Sequence, residues 1–136
     1  MVCDIIRDPI LLARISQKAV PADRSVGENL LETLTANAEK CVGLAANMIG
    51  ESKRIIAFFD GKTPAVMYNP EILAKTGPYK AEEGCLSLDG VRTAVRYKSI
   101  RVQYLDRQFR LRVRQYSGYT AQIIQHEIDH CSGILI

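Results

Sequence analysis

The spacing of polar and apolar residues changes twice along this chain. The first twenty or so residues carry Pro9 and Pro21 and mixed polarity, so they are expected to be extended or irregular with at most a short turn. From Ser25 a helical period sets in, with Leu30, Leu31, Leu34 and Ala38 on one apolar stripe. Ser25 and Glu28 have capping-box spacing, in which each side chain satisfies the other residue's free backbone N–H; this puts the helix start at Ser25. Gly43 marks a point by which the helix has ended.

The middle of the chain reads as strands. Ile55–Phe59 is a β-prone apolar run closed by Asp60-Gly61, and Ala65–Tyr68 is a second run stopped by Asn69-Pro70. From Arg96 onward the residues alternate, with Ile100, Val102 and Tyr104 on one face and Arg101 and Gln103 on the other. A turn near Asp106–Gln108 leads to a second alternation, Phe109, Leu111 and Val113 against Arg110, Arg112 and Arg114. This predicts a two-stranded meander with one solvated basic face. The period turns helical again over Ser117–Cys131, where Ala121, Ile124 and Ile128 share a face and Ser132-Gly133 ends the segment. The resulting fold class is α+β: antiparallel strands packed around a C-terminal helix, with an N-terminal helix on the outside.

Composition narrows the function classes. At 136 residues the chain is expected to be one domain, 1–136, and its 47% hydrophobic and 24% charged residues are ordinary globular values. No apolar run approaches the roughly 18 residues of a membrane helix. The opening segment is broken by Asp4, Arg7 and Asp8, unlike a signal peptide. A net charge of +3 without a basic cluster argues against a direct nucleic-acid site. Four Cys without a secretory leader point to a reducing compartment, so a cytoplasmic location is expected.

The chemistry concentrates in one short window. The only two His, His126 and His130, stand one helical turn apart on the same face, where both imidazoles can bind one cation. Glu127 is rotated by about 100° from His126 and stands beside the cation, where a general base for water belongs. A catalytic site of the zinc type takes three protein ligands. Only Cys131–Ile136 follow His130, with no further His or acidic side chain, so the third ligand comes from upstream. Spacing leaves Cys3, Cys41, Cys85 and several carboxylates all open.

Glu83-Gly84-Cys85-Leu86-Ser87 followed by Gln125-His126-Glu127-Ile128-Asp129-His130 resembles the peptide deformylase family. Gly43-Leu44-Ala45-Ala46, with Ile49-Gly50 shortly after, resembles that family's first motif. The resemblance runs from about Pro9 to the end of the chain. It implies that Cys85, His126 and His130 hold one divalent metal ion, Fe²⁺ in the cell, with Zn²⁺, Ni²⁺ or Co²⁺ able to occupy the site. It further implies that Glu127 is the general base and that the Leu86 N–H supports the oxyanion. Val42, Gly43 and Gly84 would pair with the substrate backbone, and Ile123 would wall the pocket for its first side chain. The implied activity is removal of formate from N-formylmethionyl nascent peptides, near the ribosome. Glu83 reads equally as a pocket carboxylate or a surface charge, and Arg92 and Arg96 read as solvent-facing cations.

Several positions depart from the family pattern. Met48 stands where the family has a Gln that donates to the oxyanion, and a thioether has no proton to donate. Met48 is therefore counted with the catalytic positions as a lost donor, and reduced activity is expected. The shorter Asn47 is not expected to replace it. Cys41 stands in place of Gly, Asp89 lies near a usual Pro, and Cys131 and Ile136 replace Leu and Phe. The chain reads as a variant expected to lack the family's C-terminal extension, with Ile136 as the last residue. The rival readings are a weak or inactive paralogue that binds metal and peptide N-termini, and a metalloprotease.

Overall fold

A computed structural model describes all residues, Met1–Ile136. Three helices, α1 (Pro9–Leu12), α2 (Arg24–Ala36) and α3 (Gly118–Cys131), surround five strands. The strands are β1 (Gly43–Ala45), β2 (Ile55–Asp60), β3 (Thr63–Gly84), β4 (Val91–Leu105) and β5 (Leu111–Ser117). They form one antiparallel sheet in the order β1-β2-β3-β4-β5, so each strand pairs with its neighbour in sequence. Helix α3 packs against β1, β2 and β4, and α2 packs against β2 and β3. The layered α+β arrangement expected from the periodicity is therefore present, with Leu30, Leu34, Ile55, Ile56, Ile100 and Ile124 buried at its centre.

Local chemistry explains where the elements differ from expectation. The short turn near the N-terminus is α1, capped by Asp8, whose Oδ1 accepts from Ile10 N at 2.9 Å. Helix α2 begins one residue before Ser25, because the chain enters it through a 3-10 turn over Pro21–Asp23. Asp23 closes that turn by accepting from Val20 N at 2.8 Å, and the expected Ser25–Glu28 box does not form. Glu28 turns outward to Arg107, which donates to it through Nε at 2.9 Å. The helix ends at Ala36, so Ala38 falls outside the stripe and is exposed.

The Asn69-Pro70 pair does not stop its strand. It becomes a bulge within β3, with Asn69 in the left-handed region at φ 53°. The Asn69 side chain is fixed there, accepting from Ala19 N at 2.7 Å and donating to Ala19 O at 3.0 Å. β3 then runs on to Gly84 and carries Glu83 to the end of a long hairpin with β4.

The expected basic face also needs correction. Arg112 and Arg114 lie opposite Tyr104 and Val102, on the core-facing side of the sheet at its outer edge. Leu111 and Val113 lie opposite Leu105 and Gln103 on the other face, and the side chains of Leu111, Arg112, Val113 and Arg114 are all exposed. β5 is an edge strand, so its inward Arg side chains reach past the core. Arg114 lies over the Tyr116 ring and Arg112 pairs with Asp106 at 2.9 Å.

Gly27 in α2 tests this packing. A Cβ there would lie 2.0 Å from the hydroxyl oxygen of Tyr68, a fully buried side chain. Ala favours a helix over Gly by up to about 1 kcal/mol, but overpacking costs about 1–3 kcal/mol. Gly27→Ala is therefore expected to lower the denaturation midpoint in urea; an unchanged or raised midpoint would contradict this packing.

Candidate active site

α3 brings its chemistry to one place by simple geometry. Its apolar residues Ala121 and Ile124 are buried against the sheet, which turns His126, Glu127 and His130 inward as well. The ring nitrogens His126 Nε2 and His130 Nε2 face each other at 3.0 Å. Cys85, one residue beyond the end of β3, places its Sγ 3.4 Å from His130 Nε2. The ligand atoms of Cys85, His126 and His130 all lie within 4.8 Å of one another. Of the cysteines left open by spacing, Cys85 is the one in this cluster. Cys3 lies beside α2, its backbone N–H bonded to Thr33 Oγ1, and Cys41 lines the cleft outside the cluster.

A buried charge network holds the cluster. Glu83 Oε1 bonds His126 Nδ1 at 2.9 Å, which directs the other ring nitrogen toward His130. Arg96 grips Glu83 through Nε and Nη2, at 3.0 and 2.7 Å, and Asp129 through Nη1 at 2.6 Å. Gln122 Nε2 donates to Glu83 Oε2 at 2.8 Å. Arg96 is only 4% exposed, so its expected solvent-facing role is overturned. Arg92 stays at the periphery, donating to the backbone of Asp89. Sequence reasoning missed Arg96, Asp129 and Gln122 as parts of the site. The available signal was the position of Asp129 and Gln122 on the same helix as the two His.

These contacts set the protonation of the site. Burial alone would raise the Glu83 carboxyl, but hydrogen bonds from His126, Arg96 and Gln122 prevail and lower it to about 2. Burial also works to lower His126, yet the hydrogen bonds with Cys85 and Glu83 and the charge of Glu127 lift it to about 10. His130 is pushed down to about 3 by burial and by the charge of His126. The two facing nitrogens thus resist carrying a proton each. A thiolate sulfur and two imidazole nitrogens form a donor set suited to zinc or ferrous iron, so the residues fit a divalent transition metal.

Glu127 is placed apart from this cluster. It is 4% exposed, and its Oε1 has no hydrogen-bond partner. Burial first, then the charges of Glu83 and Asp129, raise its pKa to about 7. A carboxylate near neutrality with a free oxygen is suited to take and return a proton. Gly43 makes this possible, because a Cβ there would lie 2.9 Å from Glu127 Oε2 and 2.8 Å from Ile123 Cγ2.

The cluster opens into a cleft of about 710 Å³. Val42 and Gly43 line one side, Gly84, Cys85 and Leu86 another, and Ile123, His126 and Glu127 also contribute. β1 is an edge strand. Phe59 N donates to Val42 O at 3.0 Å, so by antiparallel alternation the backbone polar groups of Gly43 point away from β2 toward the open edge. Leu86 N–H has no backbone acceptor. Met48 does not line the cleft. It is 1% exposed in a 3-10 turn, Ala46–Ile49, and its sulfur accepts from Ala45 N at 3.4 Å. Asn47 cannot substitute as a donor, since its amide nitrogen bonds His130 O at 2.9 Å and Leu12 O at 3.3 Å.

Glu83 predicts an acid-side loss of stability. Its folded pKa lies below the ordinary value of 4.5, so its contribution is fully present above pH 4.5 and is lost as pH falls toward about 2. After chelation of metals, melting temperatures recorded across this window should fall more steeply for the wild type than for Glu83→Gln. Parallel curves would refute the assignment.

Comparisons with known proteins agree with this geometry. The polypeptide deformylase family model matches residues 5–136. A peptide deformylase of Clostridium beijerinckii is 50% identical over 136 residues, all of both chains. One from Desulfitobacterium hafniense is 40% identical over 89% of this chain and 84% of its own. The crystal structure of peptide deformylase from Thermotoga maritima superposes with a TM-score of 0.88 at 31% identity, covering 99% of this chain and 95% of that one. A class I type b peptide deformylase from Acinetobacter baumannii, solved with Met-Ala-Ser bound, has a TM-score of 0.87 at 27% identity over 99% and 97%. With the Cys85, His126 and His130 cluster at the end of the cleft, these matches establish that the chain belongs to the polypeptide deformylase family.

Proposed function

We propose that this chain hydrolyses the formamide bond of N-formylmethionyl peptides, using one divalent metal ion held by Cys85, His126 and His130. The observation that carries this reading is the buried Glu127, with an unpartnered oxygen, beside three converging ligand atoms at the end of a cleft that a free strand edge flanks. The metal supplies Lewis acidity there, making water a nucleophile near neutral pH and polarising the formyl carbonyl. We take this metal to be Fe²⁺ in the cell, with Zn²⁺, Ni²⁺ or Co²⁺ able to replace it, in keeping with the S/N/N donor set.

The protein's own groups perform the rest. The substrate backbone adds as a strand against Val42 and Gly43 on one side and Gly84 on the other, a mode that reads main chain. Ile123 packs against the first side chain. Glu127 takes a proton from the attacking water and passes it to the leaving amine nitrogen. The C–N bond breaks, giving formate and a free N-terminus. Leu86 N–H donates to the oxygen that becomes negative in the transition state. The substrates in this reading are newly made chains in the cytoplasm, close to the ribosome, and the four free thiols accord with a reducing compartment.

Met48 favours a second reading, a weak catalyst or a binder of peptide N-termini. Loss of one oxyanion donor lowers turnover by roughly 100- to 1,000-fold. Metal-loaded protein prepared anaerobically is expected to release formate from formyl-Met-Ala-Ser, and Glu127→Ala should reduce the rate about 100-fold or more. A wild-type rate no greater than that of the variant would remove the enzymatic reading. Met48→Gln decides between the two: a rate raised by roughly one or more decades marks a competent scaffold lacking one donor. An inert Met48→Gln protein would favour the binding role instead.

A further inference from the structure

One cleft residue is tethered in a way that hydrolysis itself does not require. Gln122 stands four residues before His126 on α3, next to Ile123, and lines the cleft while remaining half-buried. Both ends of its amide are held. The Tyr79 hydroxyl donates to Gln122 Oε1 at 3.2 Å, and Gln122 Nε2 donates to Glu83 Oε2 at 2.8 Å. Arg96 donates to both Glu83 oxygens, so Glu83 Oε2 meets the amide as an acceptor. Chemistry therefore fixes which way the amide points, with nitrogen toward Glu83 and oxygen toward Tyr79.

An amide nitrogen carries two hydrogens, and Glu83 takes one of them. The second N–H has no protein acceptor, and Gln122 lines the cleft together with Ile123 and Tyr119. It cannot rotate away without breaking both tethers. In the deformylase reading, a side chain entering beside Ile123 comes within reach of this donor. A thioether accepts from it weakly, a hydrocarbon not at all, and a sulfoxide oxygen strongly.

We propose that Gln122 is a specificity-determining residue, reading the first side chain of the substrate through this N–H and extending the substrate range to peptides headed by formyl-methionine sulfoxide. The inference rests on the deformylase reading and on the placement of the first side chain beside Ile123. The reaction at the formyl group is unchanged.

The test compares formyl-Met, formyl-methionine sulfoxide and formyl-norleucine tripeptides on the metal-loaded wild type and Gln122→Leu. Loss of the tether to Glu83 affects all three substrates alike, so the ratio of kcat/KM values isolates the donor. The sulfoxide-to-norleucine ratio is expected to fall by roughly fivefold in the variant, the worth of one neutral hydrogen bond. Gln122→Met, flexible and of similar length, gives the same reading if the Leu protein does not fold. Calorimetric binding of the product peptides, with free amino termini, should show the same change in ratio. A ratio unchanged by substitution, or a wild type that prefers norleucine to sulfoxide, would overturn the proposal. Failure to release formate from any peptide would instead overturn the deformylase reading, while the binding ratio would still decide the role of Gln122.

Discussion

Two imidazole nitrogens facing each other at 3.0 Å, buried from water, leave room for one proton or one metal ion between them and not for a proton on each. That constraint organises the rest of the site. Glu83 orients the His126 ring, and Cys85 brings its sulfur to the same pair of nitrogens. Burying Glu83 carries a desolvation penalty that its pairing with Arg96 must offset, and Arg96 in turn reaches Asp129. Removing one partner of such a pair typically destabilises a protein by about 3–5 kcal/mol, because the other charge is left buried. The network gives little net stability for its size; its value lies in a fixed orientation of the ligand atoms.

The same architecture separates the proposed ligands from the proposed base. His126 and His130 are one turn apart and converge, whereas Glu127 is turned toward Gly43 on the neighbouring edge strand. Burial then raises the Glu127 pKa to about 7, while hydrogen bonds lower that of Glu83 to about 2. Two carboxyls near one cluster thus differ in protonation because one has donors around it and the other has an unpartnered oxygen. The free edge of β1 lies beside Glu127, so in the proposed reaction a peptide that adds to the sheet reaches the cluster through main-chain contacts.

Much of the site was legible because its key spacings are local. The i, i+4 pair His126 and His130 lies on one helix, and helical geometry alone puts both rings on one face. Helix α2 was legible from Leu30, Leu31 and Leu34, and β2 from Ile55–Phe59 with its Asp60-Gly61 turn. Local signals misled where a distant partner competed. Glu28 has the spacing of a capping box, yet Arg107, distant in sequence, takes its carboxylate. Asn69-Pro70 has the chemistry of a stop, yet Ala19 accommodates the Asn side chain and the strand continues.

The sequence by itself determined helix α2, strand β2, the last helix, the pair of imidazoles and the carboxylate beside them, since each follows from a short-range period of 2 or 3.6 residues. Tertiary structure decided which cysteine completes the cluster, because Cys85 joins it only through the long β3–β4 hairpin folding onto α3. It also decided that Arg96 is a buried anchor. Charge alone would send an Arg to solvent, and only the meeting of Glu83 and Asp129 across the sheet and helix gives this one two anionic partners inside.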